Sequence, residues 1–198
     1  MGKAEQTHQR IIVQSAPLFN QHGYSGTSMQ DILRVTDLKK GGIYSHFESK
    51  AALAHAVFDY AVGLMNERFT TFLTRAPASC LEQVFASIEA FASVVYQPPV
   101  AGGCATLNTA IESDDAFPLF KQQAGRAMDA WFKLVAHLLR EGIRKQEFRP
   151  EINVEEVATT MIASLEGALM LSKLYDDPIH MERVVKHLRS YLISELAR

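Results

Sequence analysis

The 198-residue sequence predicts an all-α protein of about nine helices in two modules, and three observations lead there. Apolar residues recur at three- and four-residue spacing through nearly the whole chain; no run alternates apolar and polar as a half-buried strand would; and proline or glycine joints interrupt the pattern about once per helix. With 47% hydrophobic and 21% charged residues, the composition is that of a folded globular chain.

The first helix is expected over about 4–22, with Ile12, Ala16 and Phe19 on one face and Gly23 as a left-handed C-terminal cap. A second begins at Thr27, whose hydroxyl can cap the backbone N–H of Gln30 while the Gln30 side chain reaches back, a capping box, and it ends near Thr36. Past Asp37 and Leu38, a third short helix spans about 40–47, and Ser49 caps a fourth that runs to about Thr74. Pro77 closes that helix. Leu81, Val84, Phe85, Ile88, Phe91 and Val95 lay an apolar stripe on a fifth, which Pro98 and Pro99 stop. Gly102 and Gly103 open a sixth helix through about Ser113, and Pro118 sits in the first turn of a seventh that carries Trp131, Leu134, Leu138 and Ile143 to about Glu147. The eighth is expected over 154–175 and the ninth over 179–197. The modules divide at 5–65 and 66–198, and helix four belongs to both.

No stretch approaches about 18 uncharged apolar residues, so no membrane span is expected. Residues 1–10 contain no apolar signal core. Cys80 and Cys104 are too few for a disulfide framework and have no paired metal spacing, which points to a reducing, cytoplasmic setting. The net charge of −2 is unevenly spread. Residues 1–50 hold six Lys/Arg against four Asp/Glu, a net of +2, whereas the other 148 hold 14 against 18, a net of −4.

Three short helices followed by a long one, within the basic segment, have the layout of a helix-turn-helix module. Ile32, Leu38, Ile43 and Phe47 are spaced to hold the two motif helices together, leaving Lys39, Lys40, Tyr44, His46 and Lys50 to face outward. Taken singly, the lysines read equally well as solvated surface, and Tyr44 and His46 as packing residues. Gly41 and Gly42 each cost about 1 kcal/mol in a helix interior. Close approach of the backbone to DNA supplies a reason for both, because the free N–H groups of a helix N-terminus favour phosphate or base acceptors.

Residues 5–65 resemble the DNA-binding domain of the tetracycline-repressor (TetR/AcrR) family. The resemblance rests on Thr27-Ser28-Met29-Gln30-Asp31-Ile32 and on the run from Lys40-Gly41-Gly42-Ile43-Tyr44-Ser45-His46-Phe47 through Glu48-Ser49-Lys50 to Leu53, with the motif proper at 28–47. It implies that Thr27, Ser28, Lys40, Tyr44 and Lys50 position phosphates, that Lys39, Gly42 and Ser45 lie where base edges are read, and that His46 touches either. Gly41 opens the recognition helix. Lys39 stands where the family often has a small hydroxyl residue, and Gly42 where it often has Thr, Ala or Ser, which shifts reading toward Lys39 and guanine O6/N7.

The resemblance further implies a ligand-responsive regulator, most often a repressor: a homodimer on a palindromic double-stranded operator, released by a small, apolar effector bound in the body. Phe85, Phe91, Cys104, Met128, Trp131, Phe132 and Met161 are the expected pocket walls. In the eighth helix, Val157, Ile162, Leu165 and Leu169 are interleaved with Ala158, Ala163, Gly167 and Ala168; with Val184, Val185, Leu188, Tyr191 and Leu192 of the ninth they read as a four-helix contact between two chains. The run Gly102-Gly103-Cys104 resembles a branch of the family in which a cysteine opens helix six. An alternative is therefore an electrophile or redox sensor acting through Cys104, against a plain packing cysteine. Another is an architectural DNA-binding protein without an effector. No nucleophile–base–orienter set, phosphate loop or metal cluster is apparent, so neither an enzyme, a cofactor nor a metal is expected. A helical-bundle enzyme would need groups such as Glu112, Asp114 and His137 to converge on one pocket.

Overall fold

The structure, a computed structural model, describes residues 2–113 and 116–197. Within them lie nine α-helices: α1 (Lys3–Gly26), α2 (Met29–Thr36), α3 (Lys40–Tyr44), α4 (Lys50–Arg75), α5 (Cys80–Ala92), α6 (Ala105–Ser113), α7 (Pro118–Arg144), α8 (Val154–Leu174) and α9 (Ile179–Tyr191). A 3-10 turn, Ser93–Val95, follows α5, and a π-helical turn, Leu192–Leu196, follows α9. No strand occurs among the described residues, which contain only an isolated bridge between Phe148 and Ala197.

Several boundaries differ from expectation for local reasons. The helical path of α1 breaks at Gly23 (φ 72°, ψ 178°) and resumes for one turn to Gly26, so Gly23 is a kink and not a left-handed cap. The capping box of α2 is one residue later than expected: Ser28 is the cap and Asp31 its partner, while the Thr27 hydroxyl donates to the Gly23 carbonyl at 2.7 Å. α3 stops at Tyr44 because the N–H groups of His46 and Phe47 both turn back to the Ile43 carbonyl. α7 ends at Arg144, where Gln146 takes φ 63° and the N–H groups of Glu147 and Phe148 converge on the Gly142 carbonyl. Ser49 does cap α4, accepting from the Ala52 N–H at 3.0 Å.

The helices form two compact units, residues 1–65 with 99–125 and residues 66–98 with 126–198. In the first, the head, α1 to α4 bury Ile11, Ile12, Ala16, Ile32, Ile43, Phe47, Leu53 and Val57 in one core. The sequence reading assigns α6 to the body, but residues 99–125 pack with the head. The Asn20 side-chain amide donates to the carbonyls of Val100, Ala101 and Gly103, and that of Asn108 donates to the Asn20 backbone carbonyl and side-chain oxygen and to the Gly102 carbonyl. Val100 itself is buried in the head core.

The second unit, the body, is built on Val84, Ile88, Phe91, Val135, Leu139, Phe148, Met161, Leu165 and Leu169, all at most 4% exposed. α8 is long and apolar enough to cross a membrane by length and composition alone, but it holds no run of 18 uncharged apolar residues. It carries Glu155, Glu156, Glu166 and Lys173, and half of its apolar window is buried within the fold, as in the core helix of a bundle.

Candidate nucleic-acid interface

Local chemistry places the recognition helix. At the start of α2, the Ser28 hydroxyl oxygen accepts the Asp31 N–H, and Asp31 accepts both the Ser28 N–H and the Ser28 hydroxyl proton, the latter at 2.6 Å. These bonds, helped by the Arg34 guanidinium at 2.8 Å, hold the Asp31 carboxyl below its ordinary pKa. Asp37, left-handed at φ 52°, ends α2, and Lys39 in an extended conformation starts α3. Ile32, Ile43 and Phe47 are buried between the two helices.

The outward face of this module carries Ser28, Lys39, Lys40, Gly41, Tyr44 and Ser45 exposed, with Gly42 and His46 half-buried. The Lys40 ammonium lies 5.7 Å from the Tyr44 ring centroid, and the Ser45 hydroxyl donates to the Gly42 carbonyl at 2.9 Å. The His46 ring meets His8 of α1 edge-on at 6.1 Å, and His8 stacks on Phe47 at 4.4 Å. A Cβ at Gly41 would meet nothing within 4 Å, and one at Gly42 would make only ordinary contact with Leu38. Nothing among the described residues therefore requires glycine at either position.

Two residues expected on this face are engaged elsewhere. Thr27 is 1% exposed with its hydroxyl bonded internally. The Lys50 ammonium donates to the carbonyls of Tyr24 and Thr27 at 2.7 and 2.9 Å and sits 4.1 Å over the Tyr24 ring. Both brace the α1–α2 corner from within. Sequence reasoning missed the other side of that brace: Glu112 of α6 accepts the N–H groups of Tyr24 and Ser25 at 2.7 and 2.8 Å.

Residues 11–57 match the family described as "Bacterial regulatory proteins, tetR family", and residues 80–188 match "Tetracyclin repressor-like, C-terminal domain". This chain belongs to the TetR family of transcriptional regulators. A TetR regulator from Chloroflexus aurantiacus J-10-FL is 39% identical, covers 100% of this chain and 99% of its own, and superposes with a TM-score of 0.96. A TetR-family regulator from Cytophaga hutchinsonii is 32% identical over 98% of this chain and 96% of its own, with a TM-score of 0.89. The transcriptional repressor DhaR of Mycobacterium sp. (strain GP1) is 25% identical over 170 residues, 84% of this chain and 82% of that protein. TetR regulators bind DNA operators, typically as dimers, and generally respond to small molecules.

The expected pocket residues of this TetR chain fall into both units. In the body, Trp131 stacks on Phe91 at 4.5 Å and lies 5.7 Å from Phe69. Met161 is buried, Met128 and Phe132 are half-buried, and Phe85 is buried beneath the Arg189 guanidinium at 4.1 Å. The Trp131 indole N–H is buried without an acceptor among the described residues. Cys104 is in the head, half-buried at the start of α6, where its sulfur accepts the Leu107 N–H at 3.4 Å. The head also contains a cavity among α1, α4, α6 and the first turn of α7 that none of the expected walls lines. Of the groups a helical-bundle enzyme would bring together, Asp114 lies outside the described residues, Glu112 is in the head and His137 is exposed in the body.

Proposed function

We propose that this chain is a dimeric, effector-released repressor that reads a palindromic operator through the face running from Ser28 across Lys40 and Tyr44 to His46. The observation that carries this reading is the glycine pair at 41 and 42: a Cβ would meet no described residue at Gly41 and would make only ordinary contact with Leu38 at Gly42, so folding requires glycine at neither, while a backbone that must approach DNA closely needs it. Thr27 and Lys50 support that face from behind, because their polar atoms are already satisfied within the corner. The effector is a small, largely apolar molecule with a hydrogen-bond acceptor. It is held in the body near Trp131, whose buried N–H without an acceptor represents a penalty of about 1–3 kcal/mol that such a ligand would remove. The setting is cytoplasmic.

A second reading, sensing through Cys104, is supported by the Leu107 N–H directed at its sulfur at the start of α6. Cys80 is unsuited to that role, since burial and the Glu147 charge push its thiol up.

In-vitro selection of DNA from a random pool tests the main reading. A two-fold symmetric sequence should emerge, and Lys40→Ala should weaken its binding and lower the salt slope by about one, the signature of one lost phosphate contact. Failure to enrich any sequence, or undiminished affinity in both Lys40→Ala and Tyr44→Ala, would refute it.

A further inference from the structure

We infer that the head cavity is a site for a compact organic cation, an alkylated or methylated ammonium group. Its walls include Phe58, Phe117 and Phe120 together with Tyr24, and its polar side is Asn108 and Glu112 of α6. Tyr24, Phe117 and Phe120 form a ring cluster with centroids 5.1–6.1 Å apart. Aromatic faces carry negative quadrupole charge and attract cations, above all where water is displaced. The Lys50 ammonium, 4.1 Å over the Tyr24 ring, shows this chemistry already at work beside the cavity.

Glu112 is the deciding residue. It stands one residue before the end of α6, where the carbonyl ends of the helix disfavour a negative charge. Its two oxygens are held only by the neutral N–H groups of Tyr24 and Ser25, and no cationic side chain pairs with it among the described residues. A half-buried carboxylate in an aromatic chamber, against the wrong end of a helix and without an ion-pair partner among the described residues, is completed by a cation. A neutral ligand of the same shape would gain only the apolar contact. Nothing in the expected body pocket supplies this combination.

The same carboxylate links occupancy to the DNA-reading module. The N–H groups it holds belong to the corner whose carbonyls, at Tyr24 and Thr27, are held by Lys50 and which leads directly into the Ser28 cap of α2. A cation that draws Glu112 toward the cavity competes with Tyr24 and Ser25 for its oxygens and loosens the corner. This consequence rests on the DNA-binding reading above, whereas the cation site itself does not.

Calorimetric titration of the full-length protein with tetramethylammonium chloride, against tert-butanol as a neutral match and sodium chloride as a salt control, tests the site without DNA. Tetramethylammonium should bind at least tenfold tighter than tert-butanol, and Glu112→Gln should remove that preference. Phe117→Leu, at a half-buried position, keeps the apolar bulk and should weaken tetramethylammonium several-fold while sparing tert-butanol, which provides a second reading should Glu112→Gln fold poorly. Equal affinity for the two probes, or tetramethylammonium binding that survives both substitutions, would overturn the proposal. Since no operator enters the titration, its outcome is independent of whether the DNA selection succeeds.

Discussion

Gly41 shows how a single residue can separate folding from function. It is exposed in the first turn of α3, and a methyl group there would touch none of the described residues. Alanine is the better helix former by about 1 kcal/mol and also restricts the unfolded chain. Gly41→Ala should therefore leave thermal stability unchanged or raise it, while weakening operator binding tenfold or more. Paired melting and fluorescence-anisotropy measurements would check both halves, and undiminished DNA affinity would show that the backbone at Gly41 does not approach DNA closely. Gly23 differs. There the backbone has φ 72°, and a Cβ would collide with the Glu112 carboxylate, so glycine at that position serves the fold itself.

At the scale of the helix, carboxylates act as caps over long sequence distances. Glu147, three residues beyond α7, accepts the Ser79 hydroxyl and the N–H groups of Cys80 and Leu81 at 2.9, 2.7 and 3.3 Å, closing the start of α5. Burial pushes the Glu147 carboxyl up, but the Ser79 hydroxyl and those two N–H groups outweigh it and hold the pKa below its ordinary value. A depressed folded pKa stabilises the protein above the ordinary carboxylate value of 4.5, and that contribution is lost as pH falls through the lower, folded value. Glu147→Gln should cost about 1 kcal/mol at neutral pH. The gap between wild type and variant should then close as unfolding is measured at successively lower pH below 4.5; a gap constant with pH would refute the capping role. Such caps also explain what was legible in the sequence. Helix number, the apolar stripes and the outward Lys39, Lys40 and Tyr44 follow from spacing within a few residues, and the structure repeats them. The partnerships of Glu112 with Tyr24 and of Glu147 with Cys80 span 88 and 67 residues, and no local pattern reports them. The capping box falls on Ser28 and Asp31 and not on Thr27 and Gln30, because the Thr27 hydroxyl is committed to the Gly23 carbonyl.

For the whole molecule, the question is which surface makes two heads act together. Most of the apolar residues expected at a contact between chains, Val157, Ala158, Ile162, Leu165, Ala168, Leu169, Leu188 and Leu192, are buried within their own chain. What α8 leaves outside is a narrower stripe of Ala163, Gly167, Met170 and Leu174 at helical spacing, with Met170 50% and Leu174 66% exposed. Small residues followed by large apolar ones permit close approach of a second helix and then cover it, and a two-fold pairing places the stripe against its own copy. Gly167 is the position at which to test this, since a Cβ there meets no described residue within 4 Å. Gly167→Arg should leave helicity intact but bring two unpaired guanidinium groups into the apolar contact, so sedimentation at micromolar concentration should show a dimer for the wild type and a monomer for the variant. Two linked heads find the second half-site at an effective concentration near millimolar, so the monomer should bind the full palindrome about 10²–10⁴-fold more weakly while its affinity for an isolated half-site is unchanged. A Gly167→Arg protein that stays dimeric and binds the palindrome like wild type would place the interface on another surface.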